Sequence, residues 1–181
     1  MTITLAFDSF KGSLTSEEVA EAFQDGLLDI LPHCTVNKVC IADGGEGMLA
    51  VMMDTTQGHI QSLEAYNPCM ERITANYGIS LDGQTAFIEM ANISGLPLIK
   101  KEQRNPMETT TYGTGELIRD ALERGCQKFI VGIGGTATND AGTGMLQALG
   151  FQFLDKNGNV LGQGGKTLGK ITHVCTENVH K

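Results

Sequence analysis

Ile3, Leu5 and Phe7 alternate with polar or small residues, a period of two that predicts a short strand. Residues 8–13, Asp-Ser-Phe-Lys-Gly-Ser, break the pattern with a polar turn. A helix is expected next. Thr15 and Glu18 have capping-box spacing, and Val19, Ala22, Phe23 and Leu27 recur at helical intervals up to Pro32. The same sequence of events follows: an apolar strand over 36–41, a glycine turn over 43–47, and a helix over 48–56 closed by Gly58.

The middle of the chain has a different rhythm. Residues 60–66, 73–79 and 85–90 predict three strands, the last two joined by a tight turn at Asp82-Gly83. Residues 92–96 fit neither period, and 100–111 form a polar loop containing Pro106. Gly113 opens a helix over 116–123, with Gly125 as its stop. A β-rich run at 129–133 then leads into Gly134-Gly135-Thr136-Ala137-Thr138-Asn139-Asp140 and a helix over 141–149. Asn157-Gly158 marks a hairpin between 151–154 and 159–161, and the glycine-rich, then polar, tail carries no closing element.

Strand and helix alternation at both ends implies an α/β fold with parallel pairing. The expected architecture is a parallel-sheet, Rossmann-like domain (1–58 plus 107–150) with an inserted, partly antiparallel α+β second domain (59–106 plus 151–181), truncated at its C-terminus. The 181 residues are 41% apolar and 19% charged, enough for a packed core. The net charge of -8 and the scattered cations argue against a nucleic-acid partner; the densest basic stretch is Lys100, Lys101 and Arg104. Five widely spaced cysteines without a C-x-x-C motif fit reduced thiols, with Cys40 and Cys126 as core residues. With no signal-like N-terminus and no membrane-length apolar run, the cytoplasm is the expected location and a membrane is not an expected partner.

Three strand–turn–helix units carry the candidate chemistry. If their strands are parallel neighbours, the turns open at one carboxyl edge, where open α/β sheets bind ligands and helix starts attract anions. The first turn offers Asp8, Ser9, Lys11 and Ser13, although a helix cap accounts for Ser13. The second places Asp43 and Glu46 around Gly44 and Gly45; carboxylates beside a phosphate suit Mg²⁺ binding or proton acceptance, and equally suit a turn and a helix start. The third holds Gly134, Gly135, Thr136, Thr138, Asn139 and Asp140, the composition of a phosphate cradle or of a close-packed glycine connection. It is neither a Walker A loop nor a dinucleotide fingerprint. Together the turns supply the parts for phosphoryl transfer without naming an acceptor.

Residues 6–14, AFDSFKGSL, resemble the "APDSFKGSL" opening of the bacterial glycerate kinases of the first type, with Phe7 where that family usually has Pro. ADGGEG at 42–47, TAFIEMA at 85–91, GTGELI at 113–118 and GIGGTATND at 132–140 are similar to further blocks of that family, in the same order. The resemblance is to an N-terminal portion, since family members are considerably longer. It implies transfer of the ATP γ-phosphoryl group to a hydroxyl of D-glycerate, with Mg²⁺, and leaves a homodimer open. On that basis Lys11, Asp43 and Asp140 are the expected catalytic residues, with Asp43 and Asp140 also as metal ligands. Asp8, Ser9, Glu46 and Asn139 are expected at the substrate, and Gly44, Gly45, Gly134, Gly135, Thr136 and Thr138 at the phosphates. The alternatives are a non-catalytic small-anion or nucleotide-binding domain and an inactive truncated fragment.

Overall fold

The computed structural model describes residues 1–180. The strands are β1 (Thr2–Phe7), β2 (Thr35–Cys40), β3 (His59–Tyr66), β4 (Arg72–Ile79), β5 (Thr85–Glu89), β6 (Lys128–Gly132), β7 (Gln152–Leu154) and β8 (His173–Cys175). The α-helices are α1 (Ser16–Ile30), α2 (Met48–Thr56), α3 (Ala91–Ser94), α4 (Tyr112–Glu123) and α5 (Thr143–Ala148). Three short 3₁₀ segments lie at Leu96–Leu98, Lys101–Gln103 and Gly165–Lys170.

Strands β1 and β2 pair in parallel as a two-stranded sheet, from Thr2 opposite Thr35 to Phe7 opposite Cys40. The larger sheet has the order β3-β4-β5-β6: β3, β4 and β5 run antiparallel in turn, and β6 joins β5 in parallel. The fold is therefore α/β, with a two-stranded parallel sheet, a four-stranded mixed sheet and a small antiparallel β7–β8 pair. Hydrogen bonding runs from β5 to β6, across the division drawn between 59–106 and 107–150.

Local chemistry explains why the elements form where they do. Thr15 caps α1 as the spacing predicts: its hydroxyl accepts from Glu18 N at 3.2 Å, and the Glu18 carboxylate accepts from Thr15 N at 2.7 Å. Phe23 of α1 packs on Phe7 of β1 with ring centroids 5.2 Å apart. Asp82 holds the β4–β5 turn by accepting from Gln84 N and from the Ser80 hydroxyl, with Gly83 at φ 71°. The core lies between the four-stranded sheet and α4, where Tyr77, Ile88, Ile93 and Leu117 are fully buried among Ala65, Ala86 and Ala121. Each such large apolar side chain contributes about 1.5–3 kcal/mol. Tyr77 keeps a partner for its hydroxyl, donating to Asp120 Oδ2 at 2.6 Å.

Several expectations are corrected. Gln57, not Gly58, takes the left-handed position that ends α2 (φ 52°). Residues 92–96 form α3 and the start of a 3₁₀ turn because their backbone is caught by the third glycine turn: Leu96 N donates to Gly135 O and Ala137 N to Ser94 O. The expected 151–161 hairpin forms, with a Leu154–Val160 bridge, Asp155 N donating to Asn159 O and Leu161 N to Phe153 O; on its other side β7 takes a ladder from β8, within the tail read as lacking a closing element. Cys126 is buried as expected, but Cys40 is exposed at the end of β2. The outer strands β2 and β6 leave apolar side chains in solvent, Val39 and Ile130 among them, and Ile133 just after β6 is 73% exposed.

Candidate functional site

The first two turns follow β1 and β2 and so open at one sheet edge. Their charged residues meet there. Lys11 Nζ lies 2.9 Å from Asp43 Oδ2, with both side chains half or more in solvent. Asp43 Oδ1 accepts from Gly45 N at 2.9 Å, which folds the second turn around its own carboxylate. The hydrogen bond from Lys11, then the Gly45 N–H, holds the Asp43 carboxyl below its ordinary value, and the same contact with Asp43 raises the Lys11 ammonium. Both groups therefore stay charged across the neutral range. Asp8 accepts from Ser9 N at 2.7 Å, and the Ser9 hydroxyl is buried with no hydrogen-bond partner. Buried polar atoms usually have one, so an orphan in a cleft wall marks a group available to a ligand.

That cleft has a volume of about 720 Å³ and runs between the first turn and α2. Ser9, Lys11, Ser13, Lys38, Glu46 and Gly47 contribute polar groups to it. The helix start at its edge is not free. Gly47 (φ 93°) supplies no side-chain cap for α2; Glu89, at the end of β5, does so instead, its Oε2 accepting from Leu49 N at 2.9 Å. Glu89 is 1% exposed. Burial raises its pKa, against the opposing effect of the Leu49 and Gly47 N–H groups. Glu89 was absent from the residues expected at the site. A carboxylate ending the otherwise apolar run Ala86-Phe87-Ile88 is the signal that could have found it.

The third turn meets the second backbone to backbone. Gly134 N donates to Gly44 O at 2.9 Å, and a Cβ on Gly134 would lie 2.7 Å from Gly45 Cα. Gly44, Gly45 and Gly134 are thus explained by mutual approach of two turns. Gly134 N and Ala137 N are committed to protein acceptors, and Thr109 Oγ1 holds the Ala137 carbonyl at 2.8 Å. The expected phosphate cradle over 134–138 therefore keeps only part of its backbone donors. The hydroxyls of Thr136 and Thr138 engage no protein partner among the described residues, and Gly135 sits at φ 69° beside them.

Asp140, expected among the catalytic and metal-binding residues, is engaged in structural hydrogen bonds. It is 1% exposed, and its two oxygens accept from Thr111 N, Thr111 Oγ1, Thr110 Oγ1, Gly142 N and Gly144 N at 2.8–3.3 Å. A carboxylate so engaged ties the 110–111 backbone to the start of α5. The buried Thr110 and Thr111 are the other half of this lock. Asn139 is exposed beside it, away from any hydrogen-bonded partner among the described residues. Among the described residues no cluster of three or more His, Cys, Asp or Glu is arranged to hold a metal. No helix among them is long and apolar enough to cross a membrane.

The cleft opens where β1 and β2 end, the edge at which proteins of the open α/β class commonly bind their ligands. The profile of the Glycerate kinase family matches residues 3–181, and the chain belongs to that family. It is 48% identical over 174 residues to glycerate 2-kinase of Escherichia coli K12, covering 96% of this chain and 46% of that protein. It is also 48% identical over 179 residues to a glycerate kinase of Haemophilus influenzae, covering 99% and 47%. A crystal structure of a Salmonella typhimurium LT2 protein assigned as glycerate kinase 2 superposes with a TM-score of 0.80 at 45% identity, covering 99% of this chain and 48% of that one. The chain thus spans about half the length of the relatives it matches.

Proposed function

We propose that this chain provides one half of an ATP-dependent glycerate kinase site, transferring the γ-phosphoryl group of ATP to a hydroxyl of D-glycerate. The observation that carries the reading is the Lys11–Asp43 pair at the shared edge of the first two turns, within a family whose named relatives are glycerate kinases. Lys11 would neutralise charge on the transferring phosphoryl group, where a fixed cation is worth most in the transition state. Asp43, held ionised, would accept or relay the proton of the attacking hydroxyl. The free Ser9 hydroxyl, with Asp8 and Asn139, would orient the acceptor.

Mg²⁺ fits one part of the expected set and not the other. Asp43 and Glu46 are exposed carboxylates, and Mg²⁺ is commonly bound by one or two carboxylates together with substrate phosphates. Asp140 is engaged in structural hydrogen bonds instead. When bound, the ion would supply neutralisation of the phosphate oxygens. The division into 1–58 plus 107–150 and 59–106 plus 151–181 belongs to this reading, as does a cytoplasmic location. So does cover for the exposed apolar positions of β2 and β6, supplied by the remaining half of a relative's length.

The test is ADP release with D-glycerate, ATP and Mg²⁺, measured on this chain and on a chain extended to the relatives' length. Lys11→Ala and Asp43→Ala should each lower kcat/KM of the active form at least ~100-fold. Near-wild-type turnover with normal folding in either variant would sink its assigned role.

A further inference from the structure

A second recess lies against the third turn, with a volume of about 270 Å³. Its polar lining comes from Arg104, Asn105, Thr136 and Thr138, and no carboxylate lines it. In a chain of net charge -8, a wall without an acidic group is a selective feature. The larger cleft is the contrast, with Glu17, Glu18, Glu46 and Asp54 around Lys11 and Lys38.

The groups facing the recess are donors without acceptors. Arg104 makes no ion pair among the described residues; its side chain donates one long hydrogen bond, from Nε to Ile99 O at 3.4 Å, which leaves the terminal nitrogens of the guanidinium free. Asn105 spends its side-chain oxygen on Met107 N at 3.0 Å, so its amide nitrogen remains to donate. Thr136 and Thr138 bring their two uncommitted hydroxyls. The floor is rigid, since Gly135 and Ala137 are bonded to Leu96 and Ser94. Neighbouring Lys100 and Lys101 complete the densest basic stretch of the chain and are likewise free of ion pairs among the described residues.

The geometry points to a carboxylate subsite for a small hydroxy acid, with Arg104 as the fork that grips the carboxylate and Thr136 and Thr138 as donors to it and to the adjacent hydroxyl. Planar carboxylates are matched by the guanidinium fork. The assignment rests on the kinase reading for the identity of the acid, D-glycerate, and adds the residues that recognise it.

The experiment uses the full 181-residue chain, ¹⁵N-labelled, titrated separately with D-glycerate, inorganic phosphate and Mg·ATP. D-glycerate is expected to shift the amides of 104, 105 and 136–138. Arg104→Gln should weaken that binding at least ~10-fold, the scale of one lost charge-assisted hydrogen bond, while Mg·ATP affinity and thermal midpoint stay unchanged. Arg104→Lys, which keeps the charge and loses the fork, should recover only part of it. Undiminished glycerate binding in Arg104→Gln, or no shifts at these amides, overturns the subsite. Arg104-dependent binding of phosphate but not of D-glycerate overturns the carboxylate assignment. If the recess binds D-glycerate through Arg104 but the extended chain transfers no phosphoryl group to it, the kinase reading fails and the subsite stands.

Discussion

Asp140→Ala is the perturbation with the largest expected effect on stability. It removes the acceptor shared by Thr111 N, Gly142 N and Gly144 N, together with the hydroxyls of Thr110 and Thr111. The hydroxyls can rotate toward other oxygens; the three backbone donors cannot. At about 1 kcal/mol or somewhat more for each stranded buried donor, the loss is roughly 3–5 kcal/mol. Domains are stable by only about 5–15 kcal/mol, and each kcal/mol shifts the midpoint of a chain this size by about 2–4 °C. The thermal midpoint should therefore fall by roughly 6–20 °C. Asp140→Asn retains one acceptor oxygen and should lose about half as much. Guanidinium chloride unfolding of the three proteins is the assay. A loss below about 1 kcal/mol for Asp140→Ala would refute the lock. A fully stable Asp140→Asn with abolished turnover in the extended chain would return Asp140 to the chemistry.

Two further outcomes follow from the same geometry. Gly134→Ala places a methyl 2.7 Å from Gly45 Cα, so thermal unfolding should register a loss of about 1–3 kcal/mol, and an unchanged midpoint would show that the two turns are not in contact. Glu89 has a folded pKa raised by burial above its ordinary 4.5, so the folded state holds the proton more tightly than the unfolded chain. The stability linked to Glu89 is therefore fully present below that value and declines as the pH rises through the folded pKa. Glu89→Gln has no such decline and should gain on the wild type as the pH is raised from about 4 toward neutrality; a pH-independent difference in denaturation midpoint would contradict this.

The strand–turn–helix units were legible because periodicity and capping act locally. The α2 boundaries at Met48–Thr56 and the Thr15–Glu18 cap follow from residues within a few positions of one another. What escaped was set at long range. His173–Cys175 is too short to signal a strand and becomes one only beside Gln152–Leu154. The site divides in the same way. Lys11 and Asp43 looked like partners in chemistry and do meet. Asp140 looked the same by residue type, yet its surroundings consume both oxygens, and residue type carries no information about how many donors will surround a carboxylate. Gly134 carried both readings, a phosphate cradle and a close-packed connection. The backbone of the second turn decides for packing at that position.

The acceptor that finishes α2 comes from Glu89, forty residues downstream of Leu49. The helix is nine residues long and has no cap of its own, so it is too short to persist in isolation. Its first turn must then await the arrival of β5, and closing that interval has an entropic cost met before any reward. Mutations within α2 should leave the refolding rate nearly unchanged and accelerate unfolding, the signature of an element assembled after the transition state. The corner that presents Asp43 and Glu46 thus depends for the start of its helix on a residue of the other sheet.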